Sequence, residues 1–301
     1  KNAGINLSLS FKNRFMDTTE ELLKSLALET IEHNIFRGHN HDVGSPHVFG
    51  GQVLSQSLDA AIITVPEDRV IHSFHAYFIL PGNLKQPIVF EVERLRDGGS
   101  FTTRRVTAIQ KGQAIFVMAA SFQLNQPGFE HQIEMPKVTP PDELKSDLEI
   151  LQSFGDDLPE SIKKFNRKRP IEFRPVNPFS FITPESQEPF RHVWFKANGE
   201  VPNDQNIHRR LLTYASDYNL LTTAVLPHQD QTSIAHLRIA SLDHAMWFHH
   251  DVDFSQWLLY ALDSPSASNS RGFTRGNVFT QDGKLVASVA QEGLMRKRRN
   301  T

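Results

Sequence analysis

The feature that most restricts how this chain can fold is an internal duplication. A helical pattern entered through two glycines, Gly51 to Val65 in GGQVLSQSLDAAIITV, is followed by VIHSFHAYFIL, PIVFEVERLR, FTTRRVTAIQ and AIFVMAASFQ. These read as four strands joined by a DGGS turn and a Lys111–Gly112 turn. After a proline-punctuated stretch the order returns. The segments IEFRPV and HVWFKANG precede a long helical pattern, NIHRRLLTYASDYNLLTTAVL. Then come SIAHLRIASLDHAMWFHH, QWLLYALDS, RGFTRGNVFTQ, an Asp282–Gly283 turn and KLVASVAQEGLM. FHAYF near Phe74 lies on DHAMWF near Asp243 at an offset of 169 residues, and Gly112 lies on Gly283 at 171. Two copies of one helix-plus-sheet unit account for this order. Tight turns make the strands antiparallel, so the fold class is α+β.

Two units need two cores, and 301 residues supply enough chain for both. The expected boundaries are an extension or tag over 1–15, a first unit over 16–126, a linker over 127–170 and a second unit over 171–301. Folding signals begin at Asp17, where Asp17 with Glu20 and Thr18 with Glu21 are alternative capping boxes. The linker holds one helix-like piece, DELKSDLEILQSF, and a short basic segment, KKFNRKR, which reads as a solvated face.

Three polar residues of the second copy interrupt apolar periodicity. Strand alternation puts Leu237, Ile239, Ser241, Asp243 and Trp247 on one face, with His236, Arg238 and His244 on the other. Ser241 thus shares the apolar side. In the last strand Ala287, Val289, Gln291 and Gly293 share a face, again with one polar member. On the helix, Ile207, Leu211, Ala215 and Tyr218 form the apolar stripe, and Asp217 falls at its rim. On the duplication alignment Gln291 stands over Ala120 and Ser241 over His72, so the trio belongs to the second copy alone.

Composition excludes several chemistries. The chain has no cysteine, which removes disulfides, thiolate metal sites and a Cys nucleophile. A formal net charge of -2 gives no bulk attraction to nucleic acid or an acidic membrane face. No apolar run approaches the length of a membrane span, and an unexported protein is expected. His72 and His75 fall on opposite strand faces with no third ligand at a suitable spacing, so no metal site is expected. Gly50 and Gly51 could aim backbone N–H groups at an anion or a carbonyl oxygen, or could simply serve close packing.

VFGGQVLSQSL, HSFHAYF, LRDGGSFTTRRV, ASDYNLL, SLDHAMWFH, SASNSRGFTRG and TQDGKLVASVAQEGLMR together resemble the acyl-CoA thioesterase II family, in order from about Leu22 to Arg296. The resemblance implies a double hotdog fold, in which two long helices are each wrapped by a curved antiparallel sheet. It also implies hydrolysis of fatty acyl-CoA to free acid and CoA, without a cofactor. The family's catalytic Asp, Thr or Ser, and Gln fall on Asp217, Ser241 and Gln291. Bacterial members carry Thr where this chain has Ser241. The partners implied are an acyl-CoA substrate and further copies of the chain as a homo-oligomer. The ending RKRRNT is not a peroxisomal signal of the SKL type, which points to the cytoplasm.

In such a site Asp217 would act as general base toward a water held by Ser241 and Gln291. A covalent route through Ser241 lacks a His base, because alternation sends His244 to the opposite face. The alternatives are an enoyl-CoA hydratase of hotdog fold, which would want an Asp–His pair that the chain does not offer at a matching motif, and a non-catalytic acyl-CoA-binding protein.

Overall fold

The structure, a computed structural model, describes residues 16–158, 163, 166–178, 185–232 and 236–298. The expected extension over 1–15 lies outside the described residues, as do Lys164 and Phe165 of the basic segment.

The chain opens on α1 (Thr19–Leu26), where the Thr18–Glu21 capping box forms rather than its alternative. A hairpin follows, β1 (Leu28–Glu32) and β2 (Ile35–Gly38). Next is α2 (Gly50–Ile63), which buries Val53, Leu54, Leu58 and Ala61. Four strands come after it: β3 (Val70–Phe78), β4 (Ile88–Asp97), β5 (Phe101–Gln110) and β6 (Gln113–Gln123). The connection contains α3 (Asp147–Ser153), capped by Ser146 and Glu149. The second set comprises β7 (Ile171–Pro175), β8 (Phe190–Ala197), α4 (Gln205–Ser216), α5 (Leu220–Thr223), β9 (Leu237–Ser241), β10 (Asp243–Phe248), β11 (Leu258–Ser268), β12 (Arg271–Thr280) and β13 (Leu285–Lys297).

All thirteen strands among the described residues belong to one curved antiparallel sheet, in the order β1-β2-β4-β5-β6-β3-β10-β13-β12-β11-β8-β7, with β9 also on β13. The two repeats meet where β3 pairs with β10. α2 packs on β3 to β6 and lies beside α4. The two helices run past each other in opposite directions, since Gly51 meets Tyr214 and Asp59 pairs with Arg210 at 3.1 Å. Among the described residues no helix is long and apolar enough to cross a membrane.

The structure departs from the sequence expectations at three places. The helix expected through Leu226 breaks after Ser216, because Asn219 takes a left-handed conformation with φ 67°. The strand read as continuous through Leu242 is two strands, β9 and β10. Ser241 pairs with Gly293 but Ala245 pairs with Ala290, so β9–β10 spends four steps where β13 spends three. One residue is extra, and a bulge reverses which side chains face inward. In the first repeat β3 carries a matching irregularity between Ile71 and Ser73. It brings His72 to the outer face beside Ser121 (2.8 Å), where His75 also lies against Trp247, so these histidines share a face and are not on opposite ones. By strand register the counterpart of Ser241, opposite Gly293, is Ile71, opposite Phe122, and not His72.

Candidate active site

Asp217 is the C-cap of α4 and not a rim residue of a longer helix. The break that places it is held from outside. Arg191 Nη1 donates to Asn219 Oδ1 (3.1 Å) and Thr222 Oγ1 (3.0 Å), while the Thr223 N–H and hydroxyl donate to the Asn219 carbonyl. The turned chain points the carboxyl at the start of α2, where the Gly51 N–H donates to Oδ2 at 3.0 Å. A helix N-terminus favours negative charge, whereas the C-terminus of α4 does not. Gly51 is required by the close approach: a Cβ there would lie 2.3 Å from the Tyr214 carbonyl oxygen.

The Asp217 residue keeps some exposure, but Oδ1 is buried and has no protein hydrogen-bond partner among the described residues. Burial pushes the carboxyl up to a pKa of about 6, against the opposing pull of the Gly51 N–H and the Gln291 amide. A carboxylate that is raised, enclosed and left with free lone pairs is suited to accept a proton near neutral pH.

Gln291 projects inward from β13 as alternation expects, and its Nε2 donates to Ser241 Oγ at 3.0 Å. The carboxyl, hydroxyl and amide singled out in the sequence therefore converge, although they lie on a helix end and two strands. The bulge at Leu242 is closed by the chain itself. The Leu242 N–H donates to the Glu292 carbonyl (2.9 Å), and the Glu292 N–H donates to Asp243 Oδ1 (2.6 Å), so a side chain supplies the missing rung.

That bulge overturns one expectation. His244 faces inward, fully buried, with Nδ1 2.6 Å from Gln291 Oε1 and Nε2 3.0 Å from Ser216 Oγ. Phe74 stacks on its ring at 5.9 Å. Burial holds the imidazole neutral, with its pKa lowered to about 4. Strict alternation misses His244, yet a signal exists in the sequence: inward apolar residues fall on odd positions at Leu237 and Ile239 and on even positions at Met246 and Phe248.

Two further side chains complete the surroundings. Thr274 stands opposite Gln291 on β12, fully buried, and its hydroxyl has no protein partner among the described residues. Tyr260 donates to the Ser216 carbonyl at 2.9 Å and pins the end of α4. Beside the start of α2 lies a cavity of about 230 Å³, lined by Phe49, Tyr214, Tyr218, Arg167 and Arg169 among others. The basic segment is therefore not a plain solvated face: Arg169 pairs with Asp147 and lies over Phe173. No group of three or more potential metal ligands occurs among the described residues.

Known proteins resemble this chain over most of its length. The family model described as acyl-CoA thioesterase matches residues 163–294, and the one described as acyl-CoA thioesterase N-terminal domain matches 37–123. Acyl-CoA thioesterase 2 of Haemophilus influenzae is 42% identical over 284 residues, covering 93% of this chain and 98% of that protein. The crystal structure of an acyl-CoA thioesterase II, TesB2, from Mycobacterium marinum superposes with a TM-score of 0.76 at 41% identity, over 93% of this chain and 99% of the other. A protein of hotdog fold from Alicyclobacillus acidocaldarius superposes with a TM-score of 0.72 at 21% identity over 91% and 97%, which bears on the fold alone.

The fold is thus the hotdog fold in its duplicated form, and the class of protein is a thioester hydrolase. The chain belongs to the acyl-CoA thioesterase family.

Proposed function

We propose that this protein hydrolyses fatty acyl-CoA to free fatty acid and CoA with a water activated by Asp217, Ser241 and Gln291. The observation that carries the reading is the convergence of the three groups. The Gln291 amide bonds the Ser241 hydroxyl, the same amide acts on the Asp217 carboxyl, and that carboxyl keeps a buried oxygen with no protein partner among the described residues.

In the reaction Asp217 removes a proton from the water, and the resulting hydroxide adds to the thioester carbonyl carbon. The carbon–sulfur bond then breaks, and CoA leaves as a thiolate stable enough to need no strong acid. Ser241 and Gln291 orient the water. The Gly51 N–H is already engaged by Asp217, so the oxyanion is assigned to the neighbouring Gly50 N–H, the first donor of α2, which has no partner among the described residues. This refines the expectation that named both glycines. Residues 16–126 and 171–301 are assigned as the two units, with 127–170 as the linker between them. The exposed Tyr77 and Trp247 on the outer face of the β3–β10 seam support the expected homo-oligomer, and a monomer in sedimentation equilibrium would refute it.

Incubation with palmitoyl-CoA and a thiol reagent tests the activity. Stoichiometric release of CoA with repeated turnover is expected, with no acyl adduct on Ser241 by mass spectrometry of the quenched protein. Tight binding without release would favour the acyl-CoA-binding alternative, and an acyl-Ser241 adduct would replace the water route with a covalent one.

A further inference from the structure

We propose that His244 is a positioning residue: through a directed hydrogen-bond chain running from Ser216 it fixes which end of the Gln291 amide faces Ser241 and Asp217. The inference rests on the reading above only for why that orientation matters. The chain of protons follows from the contacts themselves.

An ionised carboxylate only accepts hydrogen bonds, so the end of the amide that acts on Asp217 is its NH₂ group, the same group that donates to Ser241 Oγ at 3.0 Å. The other end, Oε1, then faces His244 Nδ1 at 2.6 Å and must accept a hydrogen bond from an Nδ1–H. A ring kept neutral by burial carries one N–H. Placing that proton on Nδ1 leaves Nε2 bare, and the contact to Ser216 Oγ at 3.0 Å can form only if the serine donates. The Ser216 hydroxyl has a competing acceptor, the Thr213 carbonyl at 2.8 Å. If the proton went there, Nε2 would carry the ring hydrogen, Nδ1 would be an acceptor, and the amide would have to turn its NH₂ toward the ring. Its oxygen would then face Ser241 and the Asp217 carboxylate, and two acceptors held against each other away from bulk solvent repel. The requirement at Asp217 therefore selects the Nδ1–H tautomer.

The surroundings hold the ring still. Phe74 stacks on one face, Met246 lies buried two residues further along β10, and Tyr260 fixes the backbone of Ser216. In the first repeat the register counterparts of His244 and Gln291 are Phe74 and Ala120, and no such chain can form there.

Two measurements test the proposal. Nitrogen-15 NMR of histidine-labelled protein, with the His244 signal identified by its loss in His244→Asn, should show the Nδ1–H tautomer at pH 7. The Nε2–H tautomer or an imidazolium would overturn the assignment. The second is a set of variants assayed with palmitoyl-CoA. Asn can place its amide N–H where Nδ1–H was, whereas Gln places its own nearer to Nε2. His244→Asn should keep at least a tenth of wild-type kcat, while His244→Gln and His244→Leu should lose about a hundredfold or more in kcat with KM within threefold. A leucine variant near wild-type rate, or a glutamine variant equal to the asparagine one, would refute the positioning role. The tautomer is read on the resting wild-type protein, so it stands or falls separately from Asp217 as the base.

Discussion

A carboxylate removed from water needs compensation to stay charged, and Asp217 has little: one backbone N–H, the Gln291 amide and the positive end of α2. Its pKa of about 6, against an ordinary 3.8, has a definite consequence for stability. The folded state holds the proton more tightly than the unfolded state, so this contribution is fully present below about pH 4 and is lost as pH rises through 6. Asp217→Asn, which can still accept from Gly51, should therefore be more stable than wild type at pH 8, by about 1–3 kcal/mol. The gap should close toward pH 4 in denaturant titrations. A variant that is less stable at pH 8 would show that the carboxylate is better compensated than its surroundings indicate. Of the residues at the site, Asp217, Ser241 and Gln291 were legible as polar interruptions of apolar patterns and through the family resemblance. His244 escapes strict alternation, because one extra residue in a strand inverts everything after it, and only the switch of inward apolar residues from odd to even positions marks it. Thr274 carries no sequence signal at all, since a threonine in a strand is ordinary.

Among the elements, α2 and α4 decide the geometry. Their contact at Gly51 and Tyr214 leaves no room for a side chain, and the obstacle is a backbone carbonyl that cannot swing away. Gly51→Ala should force the helices apart and pull the N–H from Asp217, lowering stability by about 1–3 kcal/mol and reducing kcat. An alanine variant with unchanged midpoint and rate would mean that the helices can slide without cost. Helical and strand periods located these elements, and the turns expected at Gly112 and Gly283 form with positive φ of 73° and 93°. Two boundaries escaped. The end of α4 is set by Arg191, distant in sequence, gripping Asn219, and the division of β9 from β10 is set by Asp243 bonding across to β13. Neither cause is local, so no local pattern announces it.

Across the whole molecule the duplication explains why one candidate site is found among the described residues and why it draws on both repeats. Ser241, His244 and Gln291 in the second repeat have Ile71, Phe74 and Ala120 as register counterparts in the first, and an apolar set cannot orient a water. The first repeat instead contributes α2, whose N-terminus holds the carboxyl of Asp217. The copying of the unit was readable from matched segments. That one copy would supply the carboxylate and the other its cradle was not, because nothing in either segment names the other. The central claim is that this carboxylate, shared across the repeats, is the base. It is tested most directly by the pH dependence of kcat/KM for palmitoyl-CoA in wild type and Asp217→Asn. The wild-type rate should rise with pH through an inflection near 6, and the variant should lose that inflection and fall by about a hundredfold to ten-thousandfold. A wild-type profile flat from pH 5 to 8, or a variant within tenfold of wild type with the inflection intact, would contradict it.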